Sequence, residues 1–194
     1  MLEPSDPIAR FAEIFAQAQK LVSPEPSAVT LATVSADGKP SARVVLLKGF
    51  DEYGFIFYTN LESQKGRELA ANPYAALCFY WGALYQQVRV EGRVERVSDA
   101  EADAYFATRP RGAQIGAWAS RQSRTLSNRE ELEARVDAVE KKYAGREVPR
   151  PPFWSGFCVI PERLEFWQSR ENRLHDRTVY RRENGAWIVE KLYP

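Results

Sequence analysis

From Gln87 to Arg96 the chain reads QVRVEGRVER, with Val88, Val90 and Val94 alternating with Arg89, Glu91, Arg93 and Glu95. A period of two belongs to an extended strand with one buried and one wet face, and no helix can sort these residues onto two sides. Similar runs surround it. AVTLATVSADGKPSARVVLLKGF predicts two strands about an Asp37-Gly38 turn, and FIFYTN and YAALCFYW predict one each. Beyond residue 154, GFCVIP, RLEFWQ, NRLHDRTVYRR and AWIVEKL predict four more, the last two joined through Asn184-Gly185.

Helical patterns come in blocks rather than in alternation with strands. Residues 7–22 place Ile8, Phe11, Ile14, Phe15, Ala18 and Leu21 at helical spacing, and Pro24 and Pro26 close that stretch. ESQKGRELAANP predicts a short helix ended by Pro73. Capping boxes at Ser98/Glu101 and Ser127/Glu130 open DAEADAYFATRP and NREELEARVDAVEKKYAG. Leu132, Val136, Val139 and Tyr143 form a stripe in the second, and Gly145 is its stop. REVPRPPFW is a connector. Short turns and dominant strands predict a mainly β, α+β chain: an antiparallel barrel or sandwich with attached helices. The 194 residues suit one domain, with 1–26 as a helical segment ahead of 27–194.

The charge balance, 27 basic against 26 acidic residues, gives no support to a nucleic-acid or membrane-surface partner. No apolar run is long enough to span a bilayer, and the first residues lack a basic-then-apolar signal, so a cytoplasmic location is expected. Cys78 and Cys158 lie in apolar runs and read as reduced core thiols. Two cysteines and one histidine cannot close a zinc site in the usual spacings, so no metal is expected. P-loop, G-x-G-x-x-G and G-x-S-x-G motifs are absent. With a single histidine, redox chemistry carried by a flat-ring cofactor is attractive.

Four clusters combine cations with hydroxyls or rings. In RVVLLK, Arg43 and Lys48 are an odd number apart, so a regular strand sends them to opposite faces. They serve two anions, or they are the charged ends of a buried strand. In YTNLESQKG, Ser63 and Lys65 mark a helix start that is either an anion site or an ordinary cap. Tyr105 and Arg109 share a helical face, and Pro110 ends the helix at Arg109. That pair is a phosphate clamp or a stacked surface pair. In ENRLHDR, Arg173, the lone His175 and Arg177 share one face if extended, either a solvated edge or a cationic wall. Trp167, in the preceding EFWQ, is a platform for a ring or a core residue.

RVVLLK, FYTN, SQKG, QVRVEG, RPRGAQIGAWAS, FWQ and RLHDR follow one another in the order seen in the pyridoxamine (pyridoxine) 5′-phosphate oxidase family, which the chain resembles from about Ser27 to Pro194. The resemblance implies an FMN-binding, antiparallel split β-barrel, assembled as a homodimer with FMN at the interface. It implies oxidation of pyridoxine or pyridoxamine 5′-phosphate to pyridoxal 5′-phosphate, with O2 reduced to H2O2. The FMN set it implies begins with Arg43, Val44, Val45, Leu46, Leu47 and Lys48. It continues through Tyr58, Thr59, Gln64, Lys65 and Gln87 to Gln122, Ser123, Trp167 and Arg177. The implied substrate set is Lys48, Tyr105, Arg109, Ala113, Arg173, Leu174 and His175, with Arg173 and His175 over the reacting side as the catalytic pair. Gln64 and Gln86 stand where arginine is frequent in the family, Ala113 where serine is, and Ser169 where glycine is. A non-catalytic flavin or pyridoxal phosphate carrier on the same fold is the alternative.

Overall fold

The alternating run becomes β6 (Gln86–Arg96), and Val88, Val90 and Val94 face a closed apolar interior. The computed structural model describes residues 6–194. In it β6 lies between β5 (Tyr74–Trp81) and β7 (Trp154–Gln168). The remaining strands are β1 (Ala28–Val34), β2 (Pro40–Leu46), β3 (Gly49–Phe50), β4 (Phe55–Asn60), β8 (Asp176–Glu183) and β9 (Ala186–Leu192). All pairings are antiparallel, in the order β2-β1-β5-β6-β7-β4-β3, with β8 on β7 and β9 on β8. At the end of β2 the Leu47 N–H donates to Ser27 O (2.9 Å) and the Lys48 N–H to Ile56 O (2.8 Å). The chain therefore turns from one end of the strand path to the other, and the sheet curls into a barrel.

GFCVIP and RLEFWQ are one strand, not two. β7 runs 15 residues, pairing β4 with its first part and β8 with its second, while β6 accompanies it throughout. Pro161 does not break it, because the register shifts at Glu91/Gly92 and leaves Glu162 as an extra residue, a β-bulge that absorbs the missing donor. Gly92 is required at this point: a Cβ there would lie 1.9 Å from Ile160 O.

Helix α1 (Pro7–Leu21) starts where the Ile8 N–H donates to the Asp6 carboxylate (2.8 Å), with proline at the first position. Its Phe11 is 0% exposed and meets the rings of Phe50, Phe55, Phe79 and Trp81, so the helix stops one end of the barrel. Helices α2 (Gln64–Ala71) and α3 (Asp99–Thr108) are capped by Ser63 and Ser98. Helix α4 (Arg111–Ala119), which the sequence pattern did not reveal, follows directly on Pro110. Helix α5 (Arg129–Lys142) is capped by Asn128, whose side chain accepts from the Glu131 N–H (2.9 Å), one residue later than the expected Ser127/Glu130 box. Asn128 is as able a cap as serine, and Glu131 instead accepts from the Ser127 N–H. A second core of Phe106, Ile115, Tyr143, Val148 and Trp154 binds these helices to β7. Cys158 is buried and Cys78 half-buried, both as free thiols. Among the described residues no helix is long and apolar enough to cross a membrane.

Candidate active site

Where α2, α3 and α4 meet β2 and β4, they enclose a cleft of about 960 Å³. Arg43, Lys48, Lys65 and Arg109 line it, and among the described residues no carboxylate does. Four cations without a lining anion call for an anionic ligand. Arg43 and Lys48 were expected on opposite faces, yet both reach this cleft. β2 ends at Leu46, so strand parity no longer governs Lys48, which sits in the corner leading to β3.

Arg43 already has a partner. Its Nη2 lies 3.0 Å from Glu68 Oε2 and donates to Ser41 Oγ (2.7 Å), and Nη1 donates to the Thr33 hydroxyl. Glu68, 7% exposed, also accepts from Thr33, Ser41 and the Gln64 amide (2.8 Å). Burial alone raises its carboxyl, but the bonds from Thr33, Ser41, Gln64 and Arg43 outweigh that and bring it down to about 2. The folded value lies below the ordinary 4.5, so this stabilisation is whole above pH 4.5 and is lost as the pH falls toward 2. Glu68→Gln is expected to lower Tm at pH 7 and to flatten its decline between pH 5 and pH 2.5. An unchanged acid limb in calorimetry counts against this assignment.

Lys65 is the charge left over beside that pair. Buried against the sheet, its Nζ donates to Thr59 Oγ1 (3.2 Å) and Ser63 Oγ (3.4 Å), both neutral. Burial, followed by the Arg43 charge, lowers its pKa. Gln122 and Ser123 complete this end of the cleft, Gln122 Oε1 accepting from Thr59 Oγ1 at 3.3 Å.

At the other end α3 presents Tyr105, and the chain leaves the helix at Arg109 with φ −71° and ψ 144°, as Pro110 demands. The Tyr105 ring stacks on Tyr58 with centroids 3.9 Å apart, and Tyr58 on Trp154 at 5.3 Å. Burial, and then the nearby Glu101 carboxylate, push the Tyr58 hydroxyl up to about 12. The Arg109 guanidinium stands over the Trp154 ring at 4.8 Å, and its Nη1 is buried without any hydrogen-bond partner. Burial lowers its pKa. A buried donor left unpaired is rare, and a ligand oxygen would satisfy it.

Val44, Val45, Leu46, Tyr58, Thr59, Gln64 and Ala113 also line the cleft, whereas Leu47 is turned into the barrel core. The other expected residues lie elsewhere on the chain. Gln87 and Trp167 line a separate pocket of about 270 Å³. His175 packs on Trp167 with ring centroids 4.5 Å apart, and its Nδ1 accepts from the Arg170 N–H (3.2 Å). Arg177 is held by Glu165 (2.7 Å) and donates to Tyr193 O (3.0 Å). Arg173 and Leu174 are exposed. The expected common face of Arg173, His175 and Arg177 does not form: Asn172 and Arg173 take left-handed φ of 54° and 62°, and β8 begins only at Asp176.

Glu68, Ser41, Thr33 and Trp154 escaped the sequence reading. The Gln64–Glu68 spacing of one helical turn was a legible signal for Glu68. Trp154 had none beyond its place as the last residue of the proline-rich connector.

Comparison with known proteins agrees with this geometry. A family model described as pyridoxamine 5′-phosphate oxidase matches residues 15–143. Another, described as the pyridoxine 5′-phosphate oxidase C-terminal dimerisation region, matches 154–194. A pyridoxine/pyridoxamine 5′-phosphate oxidase of Myxococcus xanthus is 66% identical over 191 residues, covering 98% of this chain and 93% of its own. One from Rubrobacter xylanophilus is 59% identical over 189 residues, 97% and 87% of the two chains. The structure of PhzG from Burkholderia lata 383, in complex with tetrahydrophenazine-1-carboxylic acid, superposes with a TM-score of 0.92 at 34% identity, covering 98% and 94%. A pyridoxamine 5′-phosphate oxidase-related, FMN-binding protein from Nostoc punctiforme shares the fold with a TM-score of 0.76 at 20% identity, covering 100% and 98%. Two family models that between them match residues 15–143 and 154–194, and relatives of this identity over nearly the whole length, lead to one conclusion: the chain belongs to the pyridoxine/pyridoxamine 5′-phosphate oxidase family.

Proposed function

We propose that the protein oxidises pyridoxine 5′-phosphate and pyridoxamine 5′-phosphate to pyridoxal 5′-phosphate with FMN as resident cofactor. The alcohol plus O2 gives aldehyde and H2O2; the amine also consumes water and releases ammonia. One observation carries this reading: the carboxylate-free cleft holds two separate uncommitted cations, Lys65 among neutral oxygens and Arg109 with an unpaired Nη1. Two phosphorylated rings need two such positions.

The residues present fit FMN. Lys65, Arg43, Gln122 and Ser123 would hold its phosphate end, with Tyr58 and Thr59 along the cleft wall. When bound, FMN supplies two-electron acceptance from the substrate C4′ carbon and passes the electrons to dioxygen. Lys48, Tyr105 and Arg109 would grip the substrate phosphate and fix the ring's orientation, the kind of positioning that lowers a barrier by several kcal/mol. Ala113, at the same end, offers no hydroxyl.

Gln87, Trp167, Arg173, Leu174, His175 and Arg177 then belong to the cleft of a second subunit, so that each site is complete only in a homodimer. The match of residues 154–194 to a dimerisation region supports this arrangement. In His175 the backbone amide occupies Nδ1 and leaves Nε2 to meet the substrate hydroxyl or amine.

The purified protein is expected to be yellow, to bleach on anaerobic addition of pyridoxine 5′-phosphate, and to form H2O2 when air is admitted. A yellow protein that neither bleaches nor forms peroxide would be a flavin carrier instead. Lys65→Ala is expected to weaken FMN binding by about ten- to a hundredfold, the cost of a lost charged hydrogen bond. Fluorescence quenching on FMN titration measures it, and an unchanged dissociation constant removes Lys65 from the cofactor set.

A further inference from the structure

We propose that Trp154 is the positioning residue of the substrate-phosphate clamp, acting by holding the Arg109 guanidinium against its ring. The inference rests on the reading of Arg109 as a phosphate ligand and assigns the part that gives Arg109 its direction.

A half-buried arginine is ordinarily held by a carboxylate, which fixes it but neutralises its charge and occupies its donors. Arg109 has no ion pair among the described residues. Its guanidinium carbon lies 4.8 Å from the Trp154 ring centroid and 5.6 Å from that of Phe106, with Nη1 buried and unbonded. An indole face orients a guanidinium while leaving both its charge and its in-plane N–H groups available.

The indole is itself held by neighbouring rings and through its backbone. Its ring is nearly parallel to Tyr58 (9°) and Tyr105 (4°) and meets Phe106 edge-on at 5.1 Å. Its backbone is tied to α3, the helix that ends at Arg109: Arg150 donates to Trp154 O (2.8 Å), to Asp99 (3.0 Å) and to Asp103 (2.6 Å). Trp154 also lines the cleft while being only 6% exposed. The stack therefore sets where Arg109 points before any ligand arrives, and the loss of its flat surface should appear as lost discrimination for phosphate.

The test uses Trp154→Phe and Trp154→Leu in the FMN-loaded enzyme, alone and combined with Arg109→Ala. Three quantities are read: the ratio of kcat/KM for pyridoxine 5′-phosphate to that for pyridoxine, the affinity for inorganic phosphate by calorimetry, and the FMN dissociation constant. Trp154→Leu is expected to lower the ratio and the phosphate affinity by about tenfold, and Trp154→Phe by about threefold, since tryptophan gives the strongest cation–π face. FMN affinity is expected to stay near wild type. In the Arg109→Ala background the Trp154 substitutions are expected to add nothing to the loss of phosphate affinity. Should Trp154→Leu fail to fold, the conservative Trp154→Phe carries the test. Unchanged discrimination in Trp154→Phe, or full additivity with Arg109→Ala, overturns the proposal. A wild-type enzyme that does not oxidise pyridoxine 5′-phosphate overturns the assigned reaction instead, while the phosphate titration, which needs no turnover, still judges the Trp154–Arg109 pair.

Discussion

Arg109→Ala is expected to reduce kcat/KM for pyridoxine 5′-phosphate by about two to three orders of magnitude while leaving FMN content near normal. Truncating one partner of a desolvated, charge-assisted contact costs about 2–5 kcal/mol, and each 1.4 kcal/mol is a factor of ten. The low end of that range is avoided because Nη1 has no acceptor among the described residues, so a ligand oxygen meets a donor with nothing to give up. Arg109→Lys is expected to recover only part of the loss: an ammonium carries the charge but neither the planar fork nor the same stacking on Trp154. Steady-state kinetics with phosphorylated and unphosphorylated pyridoxine measure the effect. If both substrates suffer equally, Arg109 acts through something other than the phosphate.

Phe11→Ala is expected to destabilise the protein by about 3–5 kcal/mol, the range for emptying a large buried aromatic site, and to lower Tm by about 10 °C or more. The Phe11 ring is 0% exposed and has Phe50 and Phe55 edge-on at 4.9 Å, with Phe79 at 5.2 Å. These neighbours sit on barrel strands tied by their own ladders, so the wall cannot collapse into the space left behind. No residue of α1 lines the cleft, so the folded variant is expected to keep its FMN affinity below its transition. Calorimetry with FMN titration separates the two effects. A Tm within 2 °C of wild type would mean that α1 is a loose attachment rather than a stopper.

Strand patterning was legible because burial on one face writes period two directly into the sequence, as in Val88, Val90 and Val94. It misled where local geometry left the regular strand. Pro161 looked like a boundary and lies at a bulge, and Lys48 lies two residues past the end of β2, where parity no longer counts. At ENRLHDR, two non-glycine residues with positive φ delay the strand; Asn172 is of a type that favours that region, but Arg173 is not. Within the cleft, Tyr105 and Arg109 were found by helical spacing together with Pro110. The Glu68 network was not, because Thr33, Ser41 and Glu68 come from three separate elements that only the folded chain brings together. Trp167, His175 and Arg177 lie away from the cleft within one chain. Periodicity describes how one chain folds on itself and does not tell which of its residues share a cleft.

The position of β7 in the strand order has a consequence for biosynthesis. β4 and β6 are translated about a hundred and about seventy residues before β7, the strand that separates them in the finished sheet. A nascent chain that has reached the proline-rich connector thus carries two open hydrogen-bonding edges and an apolar interior missing one wall, the condition that invites chaperone capture. Closure awaits the emergence of Trp154–Gln168 from the ribosome, so the same late segment completes the barrel wall and delivers the indole beneath Arg109.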